Sequence, residues 1–553
     1  MATSVLPGPS STTPLLTSYH SRSRSPSPNP TTPTHLSLGR LRRRRAAPPI
    51  HYLPAVLLFS ILAFFSFIVW DISSIGNCYI EPLCRILGEG REGVSDVWWR
   101  NGGAYSPRRA MGPGGGSKNL PRGCSIDQVN ILHRHTARYP TTSAGKCMQQ
   151  ALAKLENRGV DVPRRHPELA FLSRADLKME GWKFDQLMDQ GRKAAWRSGR
   201  ELAGVYKHLL KTGDGLFTRS AGGSRVVETS GYWLQGFRGS PFKIRHTDEL
   251  EQVDVVLPEG NTYNNTLAVH NCPAYENAEP SPGLAEQTSL YPLLDHTLDR
   301  LNAILHPLPA LTHSDLLCLA DMCPYDSQRV DEDWTGWSKW CGIFDRAEWE
   351  ILGHAKDVKR YYEVGEGSLY GKTMGAGWIN ELLARLTDKE VRDETTVNKT
   401  LDGDEATFPR GGMRMAVDFT HDNEMIEILT AMNVIPQHRP LPTDSVPDKR
   451  TYQTSYLIPF GSRIIVERIG CRLAGWEPDP NTGDDGREKD GKKDYVRILI
   501  NDKVHAVDHV DCKQSGFFEH KMCELELFVG TQTWSSNEVD WGLCYGDQKP
   551  DDE

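Results

Sequence analysis

Acidic residues and lysine are missing from the first 70 residues of this 553-residue chain, which carry seven arginines instead. Cysteine is missing there as well, since all 12 lie at position 78 or beyond. Three kinds of catalytic motif are also absent. There is no Gly-x4-Gly-Lys-Ser/Thr loop for a nucleotide, no Gly-x-Ser-x-Gly elbow, and no His/Asp cluster with recognisable metal-ligand spacing. With the seven N-terminal arginines set aside, 57 basic residues face 72 acidic ones, a net charge of −15. Such a surface excludes nucleic acid as a partner and repels polyanions at neutral pH. Acid pH protonates carboxylates and weakens that repulsion.

Residues 1–45 are rich in Ser, Pro and Thr and end in Arg42-Arg43-Arg44-Arg45. They cannot bury a core, so a disordered, basic, cytoplasmic tail is expected. Residues 46–72 hold an uncharged stretch whose apolar centre runs from Leu53 to Trp70. About 18–20 such residues nearly cross a hydrocarbon layer as a helix. The arginine block holds its side in the cytoplasm, which predicts a single-pass type II signal anchor with a lumenal or extracellular bulk. The competing reading is a secreted protein, because Ser74 and Gly76 resemble a signal cleavage site. The long tail and the length of the apolar run favour the anchor. Residues 73–118, with four glycines in Gly112–Gly116, read mostly as a stem. Cysteines placed only beyond the anchor fit an oxidising compartment. The sequons at Asn264 and Asn398 fit a secretory route.

Chemistry concentrates in two loops. The apolar run Val129–Leu132 leads into Arg134-His135-Thr136-Ala137-Arg138-Tyr139-Pro140. Two guanidiniums bind an oxyanion at any working pH, and a histidine beside that anion can attack phosphorus. A second apolar strand, Met413–Val417, leads to Asp418-Phe419-Thr420-His421-Asp422-Asn423 and an amphipathic run. There His421 can donate to phosphate near a helix N-terminus, and Asp422 can protonate a departing oxygen if it keeps its proton at low pH. Between them, the Ser/Gly loop 220–224 ends at Arg225, able to close a phosphate cage from a third side.

Together these residues resemble the histidine acid phosphatases, in their phytase-like branch. The family pattern Arg-His-Gly-x-Arg-x-Pro matches 134–140 and its later His-Asp matches 421–422, with Arg219, Arg225, Asp321-Met322-Cys323, Lys359-Arg360-Tyr361-Tyr362, 380–387 and 496–502 extending the likeness over about 120–545. The resemblance implies phosphate monoester hydrolysis at acid pH, with no metal or other cofactor and a small-molecule phosphomonoester as partner. It implies that His135 becomes a phosphohistidine, that Arg134, Arg138, Arg225 and His421 hold phosphate, and that Asp422 is the general acid, while Arg219 supports the loop. Lys359 and Arg360 match a basic pair that meets further phosphates of phytate (inositol hexakisphosphate) at the rim; an exposed basic helix face is the alternative. It also implies the disulfides Cys78–Cys84, Cys124–Cys471, Cys272–Cys544, Cys323–Cys341 and Cys512–Cys523. Cys147 and Cys318 are left over, as buried thiols or as a pair.

The implied fold is α/β: a phosphoglycerate-mutase-like core over 119–553 with a helical subdomain inserted in its middle, an N-terminal arm around Trp98–Pro107 within 73–118 packed on it, and the transmembrane helix before both. Periodicity predicts a strand over Gln128–Leu132 and helices over Lys146–Asn157, Phe184–Leu210, Leu284–His306 and Ala347–Tyr362, with strand-like runs in Tyr456–Glu467 and Tyr495–Val507. One position departs from the family. Thr136 stands where the pattern has glycine, and a β-branched residue tolerates positive φ poorly. If that position needs positive φ, the alternative function is a catalytically impaired, membrane-anchored pseudophosphatase that binds phosphorylated ligands.

Overall fold

Strand β1 (Cys124–Arg134) is buried from Gln128 to its end, because it runs through the middle of the sheet. On one side it pairs in parallel with β4 (Met415–Thr420), Val129 opposite Met415 and Arg134 opposite Thr420. On the other it pairs antiparallel with β5 (Arg463–Arg472), from Cys124–Cys471 to His133–Arg463. The sheet continues from β4 to β2 (Leu216–Ala221) and β3 (Val255–Leu257), both parallel, and from β5 to β6 (Lys492–Ile500) and β7 (Lys503–His505), with β8 (Met522–Glu524) also on β6. Parallel β1, β2 and β4 point their carboxyl ends the same way, and that edge is where ligands meet such sheets.

The computed structural model of the chain describes residues 92–108, 119–156, 166–175, 177–210, 215–260, 263, 265–269, 272–330, 337–395, 397–434, 437, 439–449, 451–472, 492–507 and 509–546. All belong to the second of two compact units, Met1–Glu81 and Pro82–Glu553. The expected tail, anchor, Cys78–Cys84 pair, Asn264 and most of the stem lie outside the described residues. Among the described residues no helix is long and apolar enough to cross a membrane.

The longer helices are α1 (Glu92–Asn101), α2 (Thr142–Glu156), α3 (Asp189–Tyr206), α4 (Ser224–Phe237), α5 (Asp295–Leu305), α6 (His313–Val330), α7 (Arg346–Glu363), α8 (Gly371–Thr387) and α9 (Asp422–Met432). They serve two cores. One joins the sheet to α4, α8 and α9 through residues such as Ile131, Trp233, Trp378, Phe419 and Ile428. The other is helical, uniting α2 and the 166–188 segment with α5, α6 and the start of α7 around Leu152, Leu172, Leu301, Leu319 and Trp349. The helical part is thus made of two separate stretches of chain, not of one insertion alone. Helices α3 and α4 touch through glycine, since a Cβ on Gly199 or Gly236 would stand 2.0 or 1.9 Å from the facing helix's Trp233 or Trp196 carbonyl oxygen.

Several boundaries differ from periodicity. Leu284–His306 is not one helix: a turn at Leu284–Thr288 is followed by a 3-10 turn, Tyr291–Leu294, before α5 begins. Pro292 supplies no N–H and interrupts the ladder. Helix α3 starts at Asp189, and β5 starts only at Arg463, after a helical turn at Thr454–Leu457. The disulfides Cys124–Cys471, Cys272–Cys544, Cys323–Cys341 and Cys512–Cys523 are present as expected. Cys147 pairs with Cys318 and joins α2 to α6. Disulfides persist in oxidising surroundings, so this folded unit is lumenal or extracellular.

Candidate active site

His135 leaves the end of β1 clamped on both sides. Its N–H donates to the Thr420 carbonyl at the end of β4, and its carbonyl accepts from Gly461 N–H in the turn before β5. The ring is fully buried. Its Nδ1 lies 3.0 Å from the Thr136 carbonyl, which only accepts, so Nδ1 carries the proton. Nε2 has no hydrogen-bond partner and presents its lone pair. Burial, then Arg134, Arg138 and Arg225, hold the imidazole well below its usual pKa. A neutral ring with a free Nε2 is the state that attacks phosphorus.

Three guanidiniums surround it. Arg134 is fully buried and donates through Nη1 to the carbonyls of Ala104 and Ile458 (2.5 Å to the latter). Arg138 donates to Tyr139 O at 2.9 Å and Tyr325 Oη at 3.2 Å. Arg225, in the first turn of α4, reaches His421 Nδ1 at 3.1 Å. The Nε atoms of all three lack a hydrogen-bond partner. Cations with idle donors in one pocket make an oxyanion site.

His421 and Asp422 open α9 at the end of β4. Asp422 Oδ2 lies 3.2 Å from Arg134 Nη2 and 3.3 Å from Arg360 Nη2. Burial alone would raise its carboxyl, but Arg134, Arg360 and Arg138 override burial and hold it well below the carboxylate range. Retention of a proton is therefore not a property of the ligand-free site; a bound phosphate must change the charge around Asp422 first. Arg360 is not a free rim residue, since its other nitrogen binds Glu363 at 2.6 Å. Lys359 is half-buried near Asp321, whose carboxyl is raised by burial against the opposing pull of Lys356 and Lys359.

Thr136 lies outside the residues of positive φ. Its N–H donates to Thr229 Oγ1 at 3.2 Å, and its hydroxyl lies 3.3 Å from the same oxygen. Room for its methyl comes from Gly461, at φ +71°, where an added Cβ would sit 3.1 Å from Thr136 Cγ2. Position 136 itself therefore does not need glycine. Arg219 stays away from the pocket and binds Asp418 and Glu381 beneath the sheet edge. Asn398 caps the helical turn Lys399–Asp402 with its side-chain oxygen.

Sequence reasoning missed four members of the site. Tyr105, Tyr325 and Phe460 form an aromatic wall with centroids 4.8–6.0 Å apart, and Arg134 and Arg138 lie over Phe460 at 4.7 and 5.8 Å. Glu259 accepts from Gly223 N–H at 2.6 Å and binds His421 Nε2 at 2.8 Å. Burial would raise Glu259, but the bonds from His421 and Gly223 bring it down to about 2. These residues come singly from separate segments, so no local pattern announces them.

The model of the histidine phosphatase superfamily, branch 2, matches residues 125–501. The chain belongs to that family. It is therefore a phosphoric monoester hydrolase of the histidine phosphatase type. Among its relatives, phytase A of Aspergillus fumigatus is 30% identical over 437 residues, covering 78% of this chain and 86% of that one. Phytase A of Aspergillus terreus is 32% identical over 415 residues, covering 72% and 83%. The crystal structure of the phytase from D. castellii has a similar fold, with a TM-score of 0.61 at 22% identity over 82% of this chain and 88% of that one.

Proposed function

We propose that this histidine phosphatase works through a phosphohistidine at His135 and counts phytate among its substrates. One observation supports the first part above others: His135 Nε2 is buried without a partner among three guanidiniums that still have idle donors. Arg134, Arg138, Arg225 and His421 hold the phosphoryl oxygens. Nε2 attacks phosphorus, the N–P bond forms and the P–O bond to the alcohol breaks. Asp422 gives its proton to the leaving oxygen.

That proton arrives with the substrate. A monoester monoanion carries one, and its negative charge screens Arg134 and Arg138, the cations that hold Asp422 ionised. Water then attacks the phosphohistidine, its proton returns to Asp422, and the N–P bond breaks. Phosphate leaves as its monoanion and carries that proton away, so the cycle closes with neutral His135 and ionised Asp422.

Phytate is supported by the relatives called phytase A and by Lys359 beside Asp321, close to the Arg360–Asp422 pair. The core is read as phosphoglycerate-mutase-like, with the helical part over it, held to a membrane by a type II anchor at 46–72; the composition of that stretch supports the anchor. Phosphate release from an aryl phosphate at acid pH with chelator tests the chemistry. Turnover that survives His135→Ala, or that requires an added divalent metal, defeats it. Phytate hydrolysis unchanged in Lys359→Ala defeats the rim assignment.

A further inference from the structure

Both ring nitrogens of His421 are engaged. Nε2 faces Glu259 Oε1 at 2.8 Å, and Nδ1 faces Arg225 Nη2 at 3.1 Å. A guanidinium only donates and an ionised carboxylate only accepts. The ring therefore carries its proton on Nε2, and Nδ1 is an acceptor. A phosphate oxygen is also an acceptor, so this ring as it stands repels the ligand it is expected to hold.

Glu259 resolves the conflict. Its carboxylate is fixed by Gly223 N–H at 2.6 Å, at the start of the 14-residue α4, as well as by His421. The charged groups around the ring are Arg225 on α4, Glu259 after β3, His135 after β1 at 5.6 Å between ring centroids, and Asp422, next in the chain. Of these, Arg225 is a cation that opposes positive charge on the ring, His135 is held neutral, and Glu259 and Asp422 are anions. The Glu259 carboxylate is the anion that touches the ring.

Resting on the phosphatase reading above, we propose that Glu259 is a positioning residue that makes His421 a phosphate donor. It locks Nε2–H on its carboxylate and turns Nδ1 toward the pocket. As phosphate binds, Nδ1 takes one proton from solvent, Arg225 turns its N–H from the ring to the ligand, and Nδ1–H donates beside it. The imidazolium so formed is neutralised by Glu259.

The test compares the natural protein with Glu259→Gln, which keeps an acceptor oxygen for Gly223 but loses the charge, and with Glu259→Asp, which keeps the charge on a shorter arm. Inorganic phosphate is the probe, read as inhibition of aryl phosphate hydrolysis across pH. Calorimetry in buffers of different ionisation enthalpy counts protons taken up on binding, and thermal melting checks folding. Glu259→Gln is expected to weaken phosphate about tenfold above pH 6 and only about twofold near pH 4, where protons are abundant, with the uptake of one proton lost at the higher pH. Glu259→Asp is expected to keep the proton uptake, and it carries the test if the Gln variant does not fold. An equal loss at every pH would reduce Glu259 to a scaffold and overturn the proposal. So would unchanged affinity, or tighter binding, which would mean that the carboxylate competes with phosphate for Gly223 N–H and Arg225. Turnover by the natural protein, lost in His135→Ala, is measured alongside, so a failure here stays separate from a failure of the phosphatase chemistry.

Discussion

Two sets of buried arginines meet the same parallel strands and differ in their partners. Arg219 and Arg385 face Asp418 and Glu381, two cations against two anions, with Trp378 Nε1 and Thr266 Oγ1 donating to the same carboxylates. Arg134, Arg138 and Arg225 share the single carboxylate Asp422 and the Glu259–His421 pair, and each keeps an idle Nε. A balanced buried cluster is closed to ligands. An unbalanced one carries a desolvation cost that an arriving anion relieves. The first set holds β2 to β4, and the second waits for phosphate.

Breaking the open set has the largest expected effect. His135→Ala is expected to lower kcat by about 10^4-fold or more, with the fold intact by thermal melting. Arg134→Ala is expected to cost about 10^2- to 10^3-fold in kcat/KM through lost charge stabilisation. A steady-state rate within tenfold of the natural protein in either variant would contradict the cage.

His133 sharpens the contrast by avoiding charge altogether. It precedes Arg134, and burial, with Arg463 and Arg108 nearby, pushes its imidazole down to about 3 from 6.5. Between those values the unfolded chain binds the extra proton. Stability is therefore full above pH 6.5 and declines as pH falls toward 3, by up to about 5 kcal/mol. Denaturant titrations at pH 7 and 4 should show this slope, and it should flatten in His133→Gln.

Breaking the closed set should spare chemistry and harm folding. Arg219→Met leaves Asp418 with Arg385 and strips Glu381 of its cation, and is expected to cost about 3–5 kcal/mol. The KM of the molecules that fold should not change, because Arg219 does not reach the pocket. The smallest effect is at the turn facing Thr136. Gly461→Ala adds a Cβ at positive φ against Thr136 Cγ2 and is expected to cost about 1–2 kcal/mol in melting experiments.

The pocket was legible where its chemistry is local. Arg134, His135 and Arg138 follow one strand, His421 and Asp422 follow another, and a strand end concentrates side chains in a readable string. Glu259, Tyr105, Tyr325 and Phe460 were not legible, because each enters alone from a distant segment and has meaning only through what it touches. The family resemblance puts Arg360 with Lys359 at the rim, while its guanidinium reaches Asp422. The Cys147–Cys318 pair was open for a similar reason: spacing carries no information about which helices pack. The break at Pro292 shows the reverse error, a local signal outweighed by an apolar period that looked continuous.

The order of the strands in the chain has a consequence for timing. Strand β1 ends at residue 134, but its two neighbours begin only at Met415 and Arg463. During synthesis the central strand, with His135 at its tip, must wait for more than half of the protein to be made before either edge is covered. Such distant pairings form slowly and leave strand edges open to wrong partners meanwhile. A nascent chain therefore cannot hydrolyse phosphate esters early, and a product that stops before β5 is a candidate for aggregation, not a smaller enzyme.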